Sequence, residues 1–302
     1  MGGNFENARW RGTGLFSPLR SGRTVAAVVL LLLLVVVRFI AIQFPHEPVY
    51  GGKPLSAWLQ TYDPSSPYGN GSREWREADD AVRHIGTNAT PTLLQMLRTG
   101  DSDLKLRLVA LAQKQQIVNF HFVPAATRNK EASKAFLALG DRAKEAVPDL
   151  MKAYDGNNSI ESKCAIEESL GWIGPSARAA LPLLVQAATN SNNDVRANAV
   201  WALGFIQAEP GICVPLLIHA LDDSDVGARL GATHALGMFG SDARTAIPAL
   251  MALTNPPTVE SPDVWEQETT EACDALRKIL PRGERRPVEN NYRFSTPGSS
   301  PR

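Results

Sequence analysis

The sequence predicts an all-α protein in which pairs of helices stack into a solenoid, set behind one N-terminal membrane-spanning helix. Three observations carry that expectation. Pro148, Pro182, Pro215 and Pro248 follow one another at intervals of 34, 33 and 33 residues, each with an apolar residue one or two places on. Gly171, Gly204 and Gly237 recur at 33 and 33, inside Leu170-Gly171-Trp172-Ile173, Leu203-Gly204-Phe205-Ile206 and Leu236-Gly237-Met238-Phe239. Residues 24–44 form a stretch of 21 residues with one charge, Arg38. A fixed period of this length marks stacked units, each too small to bury its own apolar face.

From the N-terminus onward, residues 1–23 are a basic segment, with Arg9, Arg11, Arg20 and Arg23 against Glu6. The run that follows is long enough to cross a bilayer, which takes about 20 apolar residues, and Arg38 near its end can reach the interface. The apolar core of a cleaved secretion signal is shorter, about 7–15 residues, and precedes a small-residue cleavage site. Gln43, Phe44, Pro45 and His46 offer no clean site of that kind. The expectation is an uncleaved signal anchor over 24–44, with a cleaved signal as the alternative. The excess of arginine before the span places the N-terminus in the cytoplasm and the rest outside.

Residues 45–72 are expected to hold a capping helix and a linker. Leu55, Trp58, Leu59 and Tyr62 share one face and suit the open end of a stack, and the Pro, Ser, Gly and Asn-rich residues 63–72 follow. The array is expected over 73–280. In each unit the first helix carries an i, i+4, i+7 stripe: Ile166, Leu170 and Ile173, then Ala199, Leu203 and Ile206, then Ala232, Leu236 and Phe239. The second helix begins near the proline, whose missing N–H costs nothing in a first turn. It carries Leu181 and Leu184, Val214 and Leu217, Ile247 and Leu250. The interval from Pro91 to Pro148 is 57 residues and breaks the period. It contains a helix over Asp103–Gln116, with Leu104, Leu108 and Leu111, and an alternating stretch, Ile117–Pro124, read as a loop packed by Phe120 and Phe122. Glu266–Leu280 supplies a last helix, and residues 281–302 read as a disordered tail.

With those residues in hand the sequence resembles the HEAT-repeat proteins, and within them the short Ala-rich units of bilin-lyase type. The matching stretches are Arg196–Leu203 with Pro215–Leu221, Arg229–Leu236 with Pro248–Leu250, and Lys163–Leu170 with Pro182–Leu184. Looser units lie at Ala135–Leu150 and Ala81–Leu97. The resemblance implies a right-handed α-solenoid of HEAT-like helix pairs, an armadillo-like superhelix. The Gly52-Lys53-Pro54-Leu55-Ser56 segment before Trp58 is also similar to predicted bacterial membrane-anchored HEAT-repeat proteins. The repeat supports many unrelated roles, so it implies fold far more than function.

No catalytic or cofactor pattern stands out. Cys164, Cys213 and Cys273 lie 49 and 60 residues apart without a CxxC pair, so no metal site is expected and the thiols read as buried structural ones. The five histidines are scattered, and the one His-Glu pair, His46-Glu47, precedes the array. Phosphate loops and GxSxG elbows are missing from the sequence. The whole chain is neutral, with 31 basic and 31 acidic residues, but residues 45–280 hold 21 Lys and Arg against 28 Asp and Glu. That sign is wrong for tracking phosphates, so nucleic acid is not an expected partner.

The function expected is therefore a non-catalytic, membrane-anchored scaffold that binds protein partners. A bilin-lyase-like enzyme and a secreted binding module are the alternatives. Glu168, Trp201 and His234 occupy one repeat position without holding to one residue class, as core positions do, and are the expected partner contacts. Lys163, Arg196 and Arg229 recur as a basic ladder. They are read as structural, with Asp194, Asp222 and Asp225 as the expected acidic partners.

Overall fold

The computed structural model describes residues 47–62, 71–114, 122–156, 159–254 and 262–284, all within one compact unit, Glu47–Arg302. The expected span, residues 24–44, lies outside the described residues. Among the described residues no helix is long and apolar enough to cross a membrane.

The described chain opens with a two-stranded hairpin that the sequence reading did not anticipate. Strand β1 (Val49–Tyr50) pairs antiparallel with β2 (Lys53–Pro54). Gly51 and Gly52 supply the turn with φ of 57° and 76°, conformations that cost a residue with a Cβ. Helix α1 (Leu55–Leu59) and a 3₁₀ turn (Gln60–Tyr62) follow, burying Leu55, Leu59 and Tyr62. The hairpin clasps this element: the Trp58 indole N–H donates to the Tyr50 carbonyl at 3.1 Å, and the Lys53 ammonium stands 4.5 Å over the Trp58 ring. Glu47 accepts bonds from the Ser56 backbone N–H and hydroxyl, capping α1.

Two layers of helices then alternate along the chain. The first-helix layer comprises α2 (Arg73–Ile85), α5 (Ala125–Leu139), α7 (Ile160–Ile173), α9 (Asn193–Ile206), α11 (Val226–Phe239) and α13 (Pro262–Ile279). The second comprises α3 (Thr90–Arg98), α6 (Val147–Asp155), α8 (Leu181–Ala187), α10 (Pro210–Ala220) and α12 (Ile247–Leu253). From α5 to α13 each first-layer helix packs on the one before it, and each second-layer helix packs on the first-layer helix that follows it. All nine residues of the three expected first-helix stripes are buried. This is the solenoid the period predicted.

The remaining helix, α4 (Asp103–Lys114), belongs to the interruption of the period. Its helical form agrees with the sequence, and Leu104 and Leu111 are 68% and 63% exposed. Across this insertion α3 lies directly against α5, so the stack continues without α4 between them. Asp101 ties the two ends of the insertion, accepting from the Ala125 N–H at 2.6 Å and from Lys105 at 2.6 Å. Phe122 lies beneath the Lys105 ammonium at 5.3 Å. Residues 115–121, with most of the expected loop, lie outside the described residues.

Pro91, Pro148, Pro182 and Pro248 sit in the first turn of their helices, as expected. Pro215 does not: it lies inside α10, which starts a turn earlier at Pro210. The three other turns in register use Gly140, Gly174 and Gly240 at positive φ and continue as 3₁₀ segments. Here Gln207 takes the left-handed position at φ 51°, Glu209 follows at 46°, and the chain reaches α10 directly. Helix starts also keep the period. Ser159, Asn192 and Asp225 each accept a bond from the backbone N–H three residues on, at 3.4, 3.1 and 2.9 Å.

The basic ladder is structural for Arg196 and Arg229, but through two acids other than those expected, Asp223 and Glu268. Arg196 makes a two-pronged ion pair with Asp223, Nε to Oδ2 at 2.9 Å and Nη2 to Oδ1 at 2.7 Å, while its Nη1 donates to the Asn190 carbonyl at 2.9 Å. Arg229 repeats the pattern, with Nε on Glu268 at 2.7 Å and Nη1 on the Asp223 carbonyl at 3.0 Å. Asp225 is committed as a helix cap, and Asp194 and Asp222 face solvent, which leaves Asp223 as the acid in reach of Arg196. Lys163 departs from the ladder and stands 5.3 Å over the Tyr154 ring.

The repeating glycines mark where the first-layer helices approach most closely. A Cβ on Gly204 would lie 2.6 Å from the Ala235 Cβ and 2.7 Å from its Cα; one on Gly237 would lie 3.0 Å from the Ala275 Cα, and one on Gly171 3.1 Å from the Ala202 Cα. Gly204→Ala should therefore lower the urea midpoint, at a cost of about 1–3 kcal/mol from overpacking that exceeds the ~1 kcal/mol gain in helix propensity. Gly171→Ala should cost visibly less. A Gly204→Ala protein as resistant to urea as the parent would refute this reading of the period.

Candidate functional site

The three residues singled out in the sequence, Glu168, Trp201 and His234, come from successive first-layer helices, α7, α9 and α11. The fold brings them onto one half-exposed face. Trp201 and His234 touch, with ring centroids 4.6 Å apart. Glu168 and Trp201 share a cleft between α7 and α9 of about 240 Å³, whose floor is Gly171 and Ala202, the same close approach that sets the helix spacing. Trp172 and Phe205, with centroids 4.8 Å apart, line its walls. Next to it, a second opening of about 320 Å³ shares Glu168 and Asn198 and adds Glu161, Asp194 and Lys130.

Each of these three side chains is held by neighbours. Glu168 accepts a bond from the Ser133 hydroxyl and pairs with the Lys134 ammonium at 3.3 Å. That ammonium also stands 5.6 Å from the Trp172 ring centroid. The Trp201 indole lies against Gly231, where an added Cβ would meet ring atoms at 2.8 Å. His234 places Nδ1 3.7 Å from Glu271. The aromatic surface is thus bounded by a carboxylate at each end, Glu168 and Glu271.

The sequence reading missed Trp172, Phe205, Lys134, Asn198 and Gly231 as parts of this site. Trp172 and Phe205 are visible in the sequence as the residues after two repeating glycines. Gly231 had a signal too: its mates one and two periods earlier, Asn198 and Ala165, both carry a Cβ. A lone glycine in that column meant a neighbour needing room.

On α7, next in sequence to Glu168, Glu167 is fully buried. Its Oε1 accepts the Tyr154 hydroxyl at 2.8 Å, and Oε2 has no hydrogen-bond partner. Burial raises its carboxyl to about 8, against the lowering effects of Tyr154 and Lys163. Burial likewise pushes the Cys164 thiol up to about 12 and Cys213 to about 11, so both remain unreactive thiols near neutrality. Among the described residues no group of three or more His, Cys, Asp or Glu side chains is placed to hold a metal ion.

Stacked helix pairs, caps in register and arginine braces between units define the class: an α-solenoid. Residues 181–261, from α8 to just beyond α12, match the family model described as HEAT repeats. Among solved structures, the chain is similar to the crystal structure of an engineered protein at 17% identity and a TM-score of 0.45, over 74% of this chain and 96% of that one. No curated protein matches the sequence.

Glu167 yields a pH prediction. Its proton is held in the folded state up to about pH 8 but only to about 4.3 in an unfolded chain. Its contribution is thus fully present below the unfolded value and is lost as pH rises through the window between the two. Within that window stability should fall with pH by up to about 1.4 kcal/mol per unit from this group. Urea unfolding from pH 5 to 9 should show that slope in the parent and a flatter one in Glu167→Gln; equal slopes would count against it.

Proposed function

We propose that this chain is a non-catalytic scaffold, anchored in a bacterial envelope by residues 24–44, that presents its HEAT-repeat solenoid on the extracytoplasmic side and binds a protein partner through Glu168, Trp201 and His234. The observation that carries the partner site is the half-exposed aromatic and acidic face built by those residues on three successive helices. Large aromatics with limited side-chain freedom are favoured anchors at protein interfaces. The anchor and its orientation rest on the length of the apolar run and on the four arginines before it. No residue is assigned a catalytic role.

Two measurements test the reading. A photo-crosslinking amino acid at position 198, in the cleft, should give a discrete adduct in intact membranes, and Trp201→Leu or His234→Asn should reduce it while far-UV circular dichroism is unchanged. An adduct indifferent to both substitutions would remove these residues from the interface. For topology, the buried native Cys213 and Cys273 and the half-buried Cys164 should label poorly. Ser299→Cys should react with a membrane-impermeant maleimide on intact cells, and labelling only after lysis would reverse the orientation.

A further inference from the structure

We infer that the cleft between α7 and α9 receives arginine side chains from a basic segment of the partner protein. The inference deepens the proposed partner site by naming the chemistry it selects, and it rests on that reading. Trp172, Trp201 and Phe205 present aromatic surface in the cleft, and Glu168 places a carboxylate among them. Ring faces and a carboxylate together favour a cation, and a planar guanidinium both stacks on rings and bonds a carboxylate.

The chain itself supplies a precedent for a cation in this setting. The Lys134 ammonium sits between the Trp172 ring, at 5.6 Å, and Glu168, at 3.3 Å, on the side facing α5. The Trp201 side of the cleft is open and has no cation among its lining residues. The adjoining opening continues the same preference: Glu161, Asp194 and Glu168 line it against Lys130 alone. The excess of acid over base across residues 45–280 adds a longer-range attraction of the same sign. Cationic side chains on an extended segment would thus meet an aromatic seat at one end and carboxylates along the other.

Trp201 is positioned before any ligand arrives. Gly231 gives its indole room against α11, and the His234 ring lies against it at 4.6 Å, tilted by 35°. Such support reduces the ordering cost of binding. Gly231→Ala would push the indole aside without replacing any residue that lines the cleft, so it separates the seat from its support.

Isothermal titration calorimetry of the full-length chain with the peptide acetyl-Gly-Arg-Gly-Arg-Gly-Arg-Gly-amide tests the inference against the same peptide carrying citrulline, which keeps the shape of arginine and removes its charge. The arginine peptide should bind about tenfold more tightly. Glu168→Gln, Trp201→Leu and Gly231→Ala should each weaken it, with helical content retained. Equal binding of both peptides, or no binding of either, overturns the inference. The crosslinking experiment above distinguishes the two failures. If its adduct still depends on Trp201, the site holds a partner by other chemistry; if it does not, the site itself falls. Concentration-dependent self-association abolished by Trp201→Leu would assign the cleft to a second copy of the chain and also overturn the inference.

Discussion

The near-contact of consecutive first-layer helices is the constraint on which the rest of the solenoid depends. At Gly171, Gly204 and Gly237 the backbone of one helix meets an alanine of the next so closely that a methyl group would collide or crowd. Glycine weakens a helix interior by roughly 0.5–1 kcal/mol relative to alanine, so its recurrence there reflects packing rather than helix formation. Close approach lets Leu170, Leu203 and Leu236, one residue earlier, be fully buried. Stacked units share their stability through such interfaces, since no unit has a core of its own.

The same approach shapes the surface. Because the floor of the α7–α9 cleft is only Gly171 and Ala202, the larger residues beside it, Trp172 and Phe205, stand as walls rather than filling the space. One unit further on, Gly231 replaces the side chains its register-mates carry, and the Trp201 ring occupies the room. The cleft and its aromatic seat are consequences of where small residues fall on neighbouring helices. Polar groups then fix the units against one another. Asp223 joins two of them by accepting Arg196 through its carboxylate and Arg229 through its carbonyl, and Arg196 holds that carboxyl below its ordinary range.

Much of this was legible in the residues. The period, the buried stripes, the proline starts and the structural use of Arg196 and Arg229 follow from short-range rules of helix geometry, which act within about one turn. Glu168, Trp201 and His234 were identifiable as a column because the period aligns them. What resisted reading depended on neighbours distant in the chain. The exposure of Leu104 and Leu111 required knowing that α3 packs on α5 across the insertion, and the choice of Asp223 over Asp222 required the direction of each side chain from a turn.

The sequence by itself determined that this protein is a stack of helix pairs, because a 33-residue recurrence of glycine, proline and apolar stripe admits one periodic packing. The tertiary structure decided what that stack offers to a partner. Trp172, Phe205 and Trp201 belong by sequence to apolar helices, and only the separation of those helices leaves their rings half-exposed beside a carboxylate. Periodicity reports which residues face a neighbour; the size of the neighbour's side chains, supplied from about 30 residues away, sets whether a gap remains between them.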